Sequence, residues 1–228
     1  MNQHRVFVVD EQPAFADALA ALLSTAEDLR VVGSASEPAV AVAAIRALRP
    51  DVVTVDVDGG RVDVVAQVHE ACPRAAIVVV TTTDSPRQAV QAIWNGATAW
   101  ASKTNRAQDL LDVVRIAADG HSSFPPELLA GVFRELVGPG GPIPRQRGAL
   151  AALTPREHDV LLCLVEGLDR KASAKRLRLS VNTVRTHVQS LFAKLHVHNT
   201  LEAVAVALDA GIRPPSTASG HSVASSSR

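Results

Sequence analysis

The sequence predicts an α/β domain built on a doubly wound, five-stranded parallel sheet, followed by a small all-α domain. Three observations carry this. Over the first 120 residues, short Val-rich runs alternate with segments of helical period, the rhythm of parallel strands joined by crossover helices. From Leu153 to Ile212 the chain reads as helix throughout. Between the two, GPGGPIPRQRG at 138–148 is too poor in apolar groups to pack and reads as a linker.

The strands are RVFVV (5–9), LRVVGSA (29–35), DVVTV (51–55), AAIVVVTT (75–82) and ATAWAS (97–102). The helix after the first strand puts Phe15, Leu19, Leu22, Leu23 and Ala26 on one face. Others are expected at 37–48, 61–70, 85–94 (stopped by Asn95-Gly96) and 106–119. VVTVDVDGGRVDVV (52–65) also suits a β-hairpin turning at Asp58-Gly59. A hairpin, however, would remove the crossover that the third and fourth strands need, and Val62, Val65, Ala66 and His69 fit helical spacing. The helix reading therefore stands.

PPELLAGVFREL (125–136) is a short helix before the linker. In the second domain Thr154-Pro155 starts a helix that Gly167 stops. A shorter one covers 171–177, another follows Ser180, and the last runs over 200–210. The expected units are 1–120, a connecting segment at 121–149, a helical domain at 150–212 and a Ser-rich disordered tail at 213–228.

At 228 residues and 47% hydrophobic, the chain can bury two modest cores. No uncharged apolar run approaches the ~18 residues of a membrane span, so no membrane partner is expected. Cys72 and Cys163 lack any metal-ligand or CxxC spacing, which fits a reducing compartment and a cytoplasmic protein. Charge divides along the chain: 10 Lys/Arg against 15 Asp/Glu in 1–120, but 9 against 6 in 151–213. Arg170 to Lys194 holds seven basic residues and no acid, the footprint of a polyanion-binding surface.

In open parallel sheets, ligand-binding groups gather at the carboxyl ends of the strands. Those ends carry Asp10 and Glu11, Asp56 and Asp58, Thr81 to Thr83, and Lys103. Clustered carboxylates repel one another, and Mg²⁺ is the usual remedy. A carboxylate can also attack phosphorus, giving an acyl phosphate neutralised by metal, lysine and hydroxyl.

Residues 4–120 resemble the CheY-like receiver domain of NarL/FixJ-type two-component response regulators. The resemblance rests on V-D-E-x-P, P-D-V-V-x-x-D, the strand-ending Thr81 and G-A-x-x-W-x-x-K. It implies Asp56 as phosphoryl acceptor, Asp10 and Glu11 as metal-binding acids with Asp56, and Asp58 as donor of a backbone carbonyl to the metal. Thr81 and Lys103 become the phosphate-contacting pair, and Trp100 stands in place of the switch aromatic. Asp58-Gly59-Gly60 departs from the family, whose loop here is about three residues longer and contains Met-Pro.

In LRLSVNTVRTHVQSLFAKL, Ser180 is a natural N-cap, and Val184, Val188, Leu191 and Leu195 form an inward stripe. Asn182, Thr183, Arg185, Thr186 and Gln189 lie on the other faces, where Arg can read guanine and Gln adenine. Lys171, Lys175, Arg176 and Arg178 suit phosphate contacts. With its L-T-P-R-E opening and S-x-x-T-V-R-x-H core, residues 150–212 resemble the LuxR-type helix-turn-helix, which implies that Arg185, Thr186 and Gln189 face the bases. Ser173 stands where that family has an aliphatic residue, and Arg178 where it often has Gly.

Together the resemblances imply a DNA-binding transcription regulator, not an enzyme, controlled by phosphorylation of Asp56 by a sensor histidine kinase. It would act on promoter DNA as a homodimer. Two alternatives are a phosphorylation-independent regulator whose receiver binds a ligand or partner, and a phosphatase using V-D-V-D-G as a DxD nucleophile motif. The second lacks the late acidic pair of that enzyme class.

Overall fold

The computed structural model describes residues 3–137 and 149–212; the linker expected at 138–148 and the tail expected from 213 lie outside the described residues. Five strands, β1 (His4–Val9), β2 (Leu29–Ala35), β3 (Val52–Val55), β4 (Ala76–Thr81) and β5 (Ala99–Ser102), form one parallel sheet in the order β2-β1-β3-β4-β5. Every residue of β3 is buried, as expected of a central strand covered on both faces.

Successive side chains divide between the two faces. Val6 and Val8 face α1 (Pro13–Ser24) and α5 (Ala107–Ala118), where Leu19, Leu23, Leu110 and Val114 pack. Phe7 and Val9 face α2 (Pro38–Leu48), α3 (Asp63–Ala71) and α4 (Pro86–Trp94) through Ile45, Val65, Val68 and Ile93. Proline opens α1, α2 and α4, where its missing N–H is no loss.

VVTVDVDGG is not a hairpin. After β3 the chain makes one 3₁₀ turn over Asp58–Gly60, with Gly59 at φ +68° and Gly60 at φ +82°, and α3 starts at Asp63, two residues later than expected. Positive φ is inexpensive only for glycine, which explains the pair.

Beyond α5 the backbone returns to the sheet. The Trp100 N–H donates to the Ser123 carbonyl, and α6 (Pro126–Val137) packs on α4, with Gly131 against Pro86. The helical domain comprises α7 (Pro155–Val165), α8 (Arg170–Leu177), α9 (Val181–Leu195) and α10 (Thr200–Asp209). The α9 stripe Val184, Val188, Leu191 and Leu195 is buried, and Ser180 caps the helix by accepting from the Thr183 N–H at 3.0 Å. Arg178 ends α8 at φ +55°, a left-handed position that explains why glycine is common there. Ser173 is buried with no hydrogen-bond partner for its hydroxyl, which fits an aliphatic site.

Glu157 ties α7 to α9. Its carboxylate accepts from the Thr154 N–H and the Lys194 ammonium, each at 2.7 Å, and from the Ser190 hydroxyl. Burial alone would raise its pKa, but Lys194, Ser190 and the Thr154 cap outweigh burial and hold it at about 2. A depressed carboxyl stabilises the folded state fully above its ordinary value of 4.5, and that stabilisation fades as pH falls towards 2. Glu157→Gln should therefore cost about 2–3 kcal/mol at pH 7 and far less at pH 3, measured by denaturant unfolding.

Candidate functional site

The sheet order reverses between β1 and β3, and the carboxyl ends of these strands carry Asp10 and Asp56. Both are 2% exposed. Between them lies the ammonium of Lys103, one residue past β5, at 2.9 Å from Asp10 Oδ2, 3.0 Å from Asp56 Oδ2 and 3.4 Å from Asp58 Oδ2. Burial lowers the Lys103 pKa, but Asp10 and Asp56 outweigh burial and raise it overall, so it stays charged. Asp56 shifts upward, chiefly because it is buried.

Thr81 ends β4 beside them. Its hydroxyl donates to Asp58 Oδ1 at 2.5 Å, and the Thr82 N–H and hydroxyl reach the same oxygen at 3.0 Å each. Burial opposes the charge of Asp58, yet the Thr81 and Thr82 donors and Lys103 outweigh it and hold its pKa at about 2. Asp58 thus enters the site by its carboxylate, whereas the receiver resemblance implied a backbone carbonyl there.

Of the acids assigned to a metal, Asp10 and Asp56 come together, while Glu11 turns away to Arg61 at 3.0 Å. Among the described residues no three acid, His or Cys side chains are arranged to hold a metal. Asp56 Oδ2 is nonetheless a buried oxygen with no aligned hydrogen-bond donor, its approach to Lys103 being a charge contact only. An oxygen of that kind suits a hard cation. Trp100 is 1% exposed and donates its indole N–H to Asp84 at 2.9 Å, so it is fixed inside, not displayed.

In the second domain Asn182, Arg185, Thr186 and Gln189 are exposed along α9, and Thr183 is half-buried against the Ser180 hydroxyl. Lys171, Lys175 and Arg178 are exposed nearby. Arg176 is not free: its guanidinium forms a forked pair with Glu166.

Asn182, Arg185 and Gln189 line a cleft of about 540 Å³ whose opposite wall includes His4, Asp51, Arg74 and His121, at the amino end of the sheet. The domains are joined by contacts that the sequence reading missed. The Asn199 amide donates to the Ile93 carbonyl in the last turn of α4 and to the Ala97 carbonyl just beyond it, at 3.0 and 3.1 Å, and to Glu202. Glu202 is 1% exposed and also accepts from the His198 N–H; burial pushes its carboxyl up to about 8. The His69 and His198 rings meet edge to face at 4.7 Å, and burial lowers both pKa values. Asn199 also caps α10, accepting from the Glu202 N–H at 2.9 Å, and its reach across to α4 has no local sequence signal.

Residues 6–115 match the response regulator receiver domain family, and residues 151–207 match the luxR family of bacterial regulatory proteins. Response regulator protein VraR of Staphylococcus epidermidis and that of Staphylococcus aureus are each 28% identical over 204 residues, covering 88% of this chain and 94% of the relative. Two solved structures share the fold. A LuxR-family two-component response regulator from Aurantimonas is 20% identical with a TM-score of 0.54, covering 60% of this chain and all of its own. RcsB from Salmonella enterica serovar Typhimurium, solved bound to a promoter, is 20% identical with a TM-score of 0.53, covering 91% of this chain and 99% of its own. The acidic pocket at the sheet's carboxyl edge thus lies in a receiver and the basic helix in a luxR-family unit, and the chain belongs to the response regulators as a DNA-binding regulator of transcription.

Proposed function

We propose that this cytoplasmic regulator is switched by phosphoryl transfer from a partner histidine kinase to Asp56, and that the switch frees the α9 reading face from the receiver. The observation that carries this reading is the shared cleft: Asn182, Arg185 and Gln189 face receiver residues across about 540 Å³. To read bases, α9 must enter a DNA major groove, and it cannot do so while receiver residues face its reading side across this cleft. The working units are the receiver to about residue 120 and the DNA-binding domain from 150 to 212.

An Asp56 oxygen attacks phosphorus while the bond from phosphorus to the kinase imidazole breaks, its electron pair staying on that nitrogen. Asp10 and Asp56, with Glu11 released from Arg61, are the residues that would hold Mg²⁺, which when bound supplies positive charge against the phosphoryl oxygens. Lys103 neutralises from the other side. The phosphoryl group carries about −1.5 to −2 of charge in place of the carboxylate's −1 and competes for Thr81, Thr82 and Lys103. Thr82 leads into α4, whose Gln88 side chain donates to the Val57 carbonyl at 2.9 Å and whose far end holds Asn199. Repacking at the acid pocket therefore reaches the domain contact through one helix. Asp58, tied to Thr81 and Thr82, is not free to serve as the acid/base of a phosphatase. Released domains would occupy two-fold promoter sites as a homodimer.

Asp56→Ala should abolish Mg²⁺-dependent labelling by a small phosphodonor; labelling equal to wild type would refute the assignment. Arg185→Ala should weaken promoter binding by about 1–3 kcal/mol and relax sequence preference, while Lys171→Ala should weaken all DNA alike and lower the salt slope, both read by titration at several salt concentrations.

The domain contact carries a pH signature. A buried carboxyl raised to about 8 favours the docked state below its ordinary 4.5, and this advantage declines as pH rises through 8. His69 and His198, both lowered, oppose docking as pH falls below their ordinary 6.5. From pH 7 to 9 the unphosphorylated protein should therefore open, and Glu202→Gln should flatten that change. Asn199→Ala should raise donor-free DNA affinity roughly tenfold at pH 7.

A further inference from the structure

Three hydrogen-bond donors and one ammonium converge on one side chain that the phosphorylation scheme leaves unused. The Thr81 hydroxyl, the Thr82 N–H and the Thr82 hydroxyl donate to the Asp58 carboxylate at 2.5, 3.0 and 3.0 Å, and the Lys103 ammonium faces it as a charge contact at 3.4 Å. A hydroxyl, a backbone amide at a strand end and an ammonium together form a binding set for a tetrahedral oxyanion, and here an internal carboxylate fills it. The shortened turn puts it there. Gly59 and Gly60 both take positive φ, yet no atom lies within 4 Å of where their Cβ atoms would stand. They are glycines for their backbone path, which folds residue 58 back over the pocket, and the Asp58 N–H donates to Asp56 Oδ1 at 2.9 Å.

We infer that Asp58 is a built-in anion: its carboxylate occupies the phosphoryl-oxygen subsite, and a phosphoryl group on Asp56 must evict it to reach Thr81, Thr82 and Lys103. This rests on the reading of Asp56 as the acceptor. Two anions cannot share these donors, because each would meet the other's charge at close range in a buried site. Asp58 is therefore a specificity-determining residue that raises the threshold for phosphorylation, and it couples phosphorylation to the β4–α4 connection by letting go of Thr82.

The test is a titration of the full chain with beryllofluoride in the presence of Mg²⁺, followed by fluorescence of Trp94 and Trp100, which are the only tryptophans. Asp58→Ala empties the subsite, while Asp58→Asn keeps its size and one acceptor but removes the charge facing Lys103. Losing a charge-assisted competitor should tighten beryllofluoride binding by about tenfold or more in Asp58→Ala, with Asp58→Asn between it and wild type. Labelling by a small phosphodonor should speed up in the same order. Wild-type or weaker binding in both variants, each shown folded by circular dichroism, overturns the inference. Should Asp58→Ala not fold, Asp58→Asn decides alone. Loss of binding in Asp56→Ala separates the two levels: if that holds while the Asp58 variants bind no tighter, only the built-in anion fails. If neither wild type nor the Asp58 variants bind, both claims fall.

Discussion

One buried ammonium facing three carboxylates governs the organisation of this receiver. Lys103 cannot neutralise Asp10, Asp56 and Asp58 together, so the pocket keeps an excess of negative charge in a region nearly closed to water. The fold tolerates this because other groups share the load: backbone N–H groups and threonine hydroxyls. The constraint also fixes positions. Asp10 and Asp56 must end adjacent strands, Lys103 must follow β5, and the sheet order that achieves this also creates the crevice.

The second organising element is α4. Its first turns follow the threonines that grip Asp58, and its last carbonyls grip Asn199 of the other domain. Hydrogen-bonded groups are thus continuous along a single helix from the acid pocket to the domain contact, the physical route by which one would bias the other. Since α6 covers another part of α4, the helix is held on several sides, and a change at one end is poorly absorbed locally.

The strands, their alternation with helices and the residues at their tips were legible because a fully buried parallel strand must be apolar and must end where polarity returns. The α9 stripe and its Ser180 cap were legible for similar local reasons. What escaped was direction and distance. Sequence places Asp58 at a strand end but does not say that two glycines bend its carboxylate onto Thr81, and nothing local turns Glu11 from the pocket to Arg61. Likewise Ser123 returning beside β5, Arg176 pairing with Glu166, and Asn199 reaching α4 all join residues ten or more positions apart. Such pairings are set by tertiary packing and leave no periodic trace.

The docking of α10 on α4 and α6 has a consequence for how the regulator senses its own abundance. A domain carried on the same chain meets its site as an intramolecular event, at an effective concentration on the order of millimolar. Any second copy that approaches through the same surface competes with that internal ligand. Self-association through α4 would therefore have to displace the contact between α10 and α4 first. Gene control by this protein would then respond to signal before it responds to copy number, which buffers its targets against fluctuations in its own synthesis.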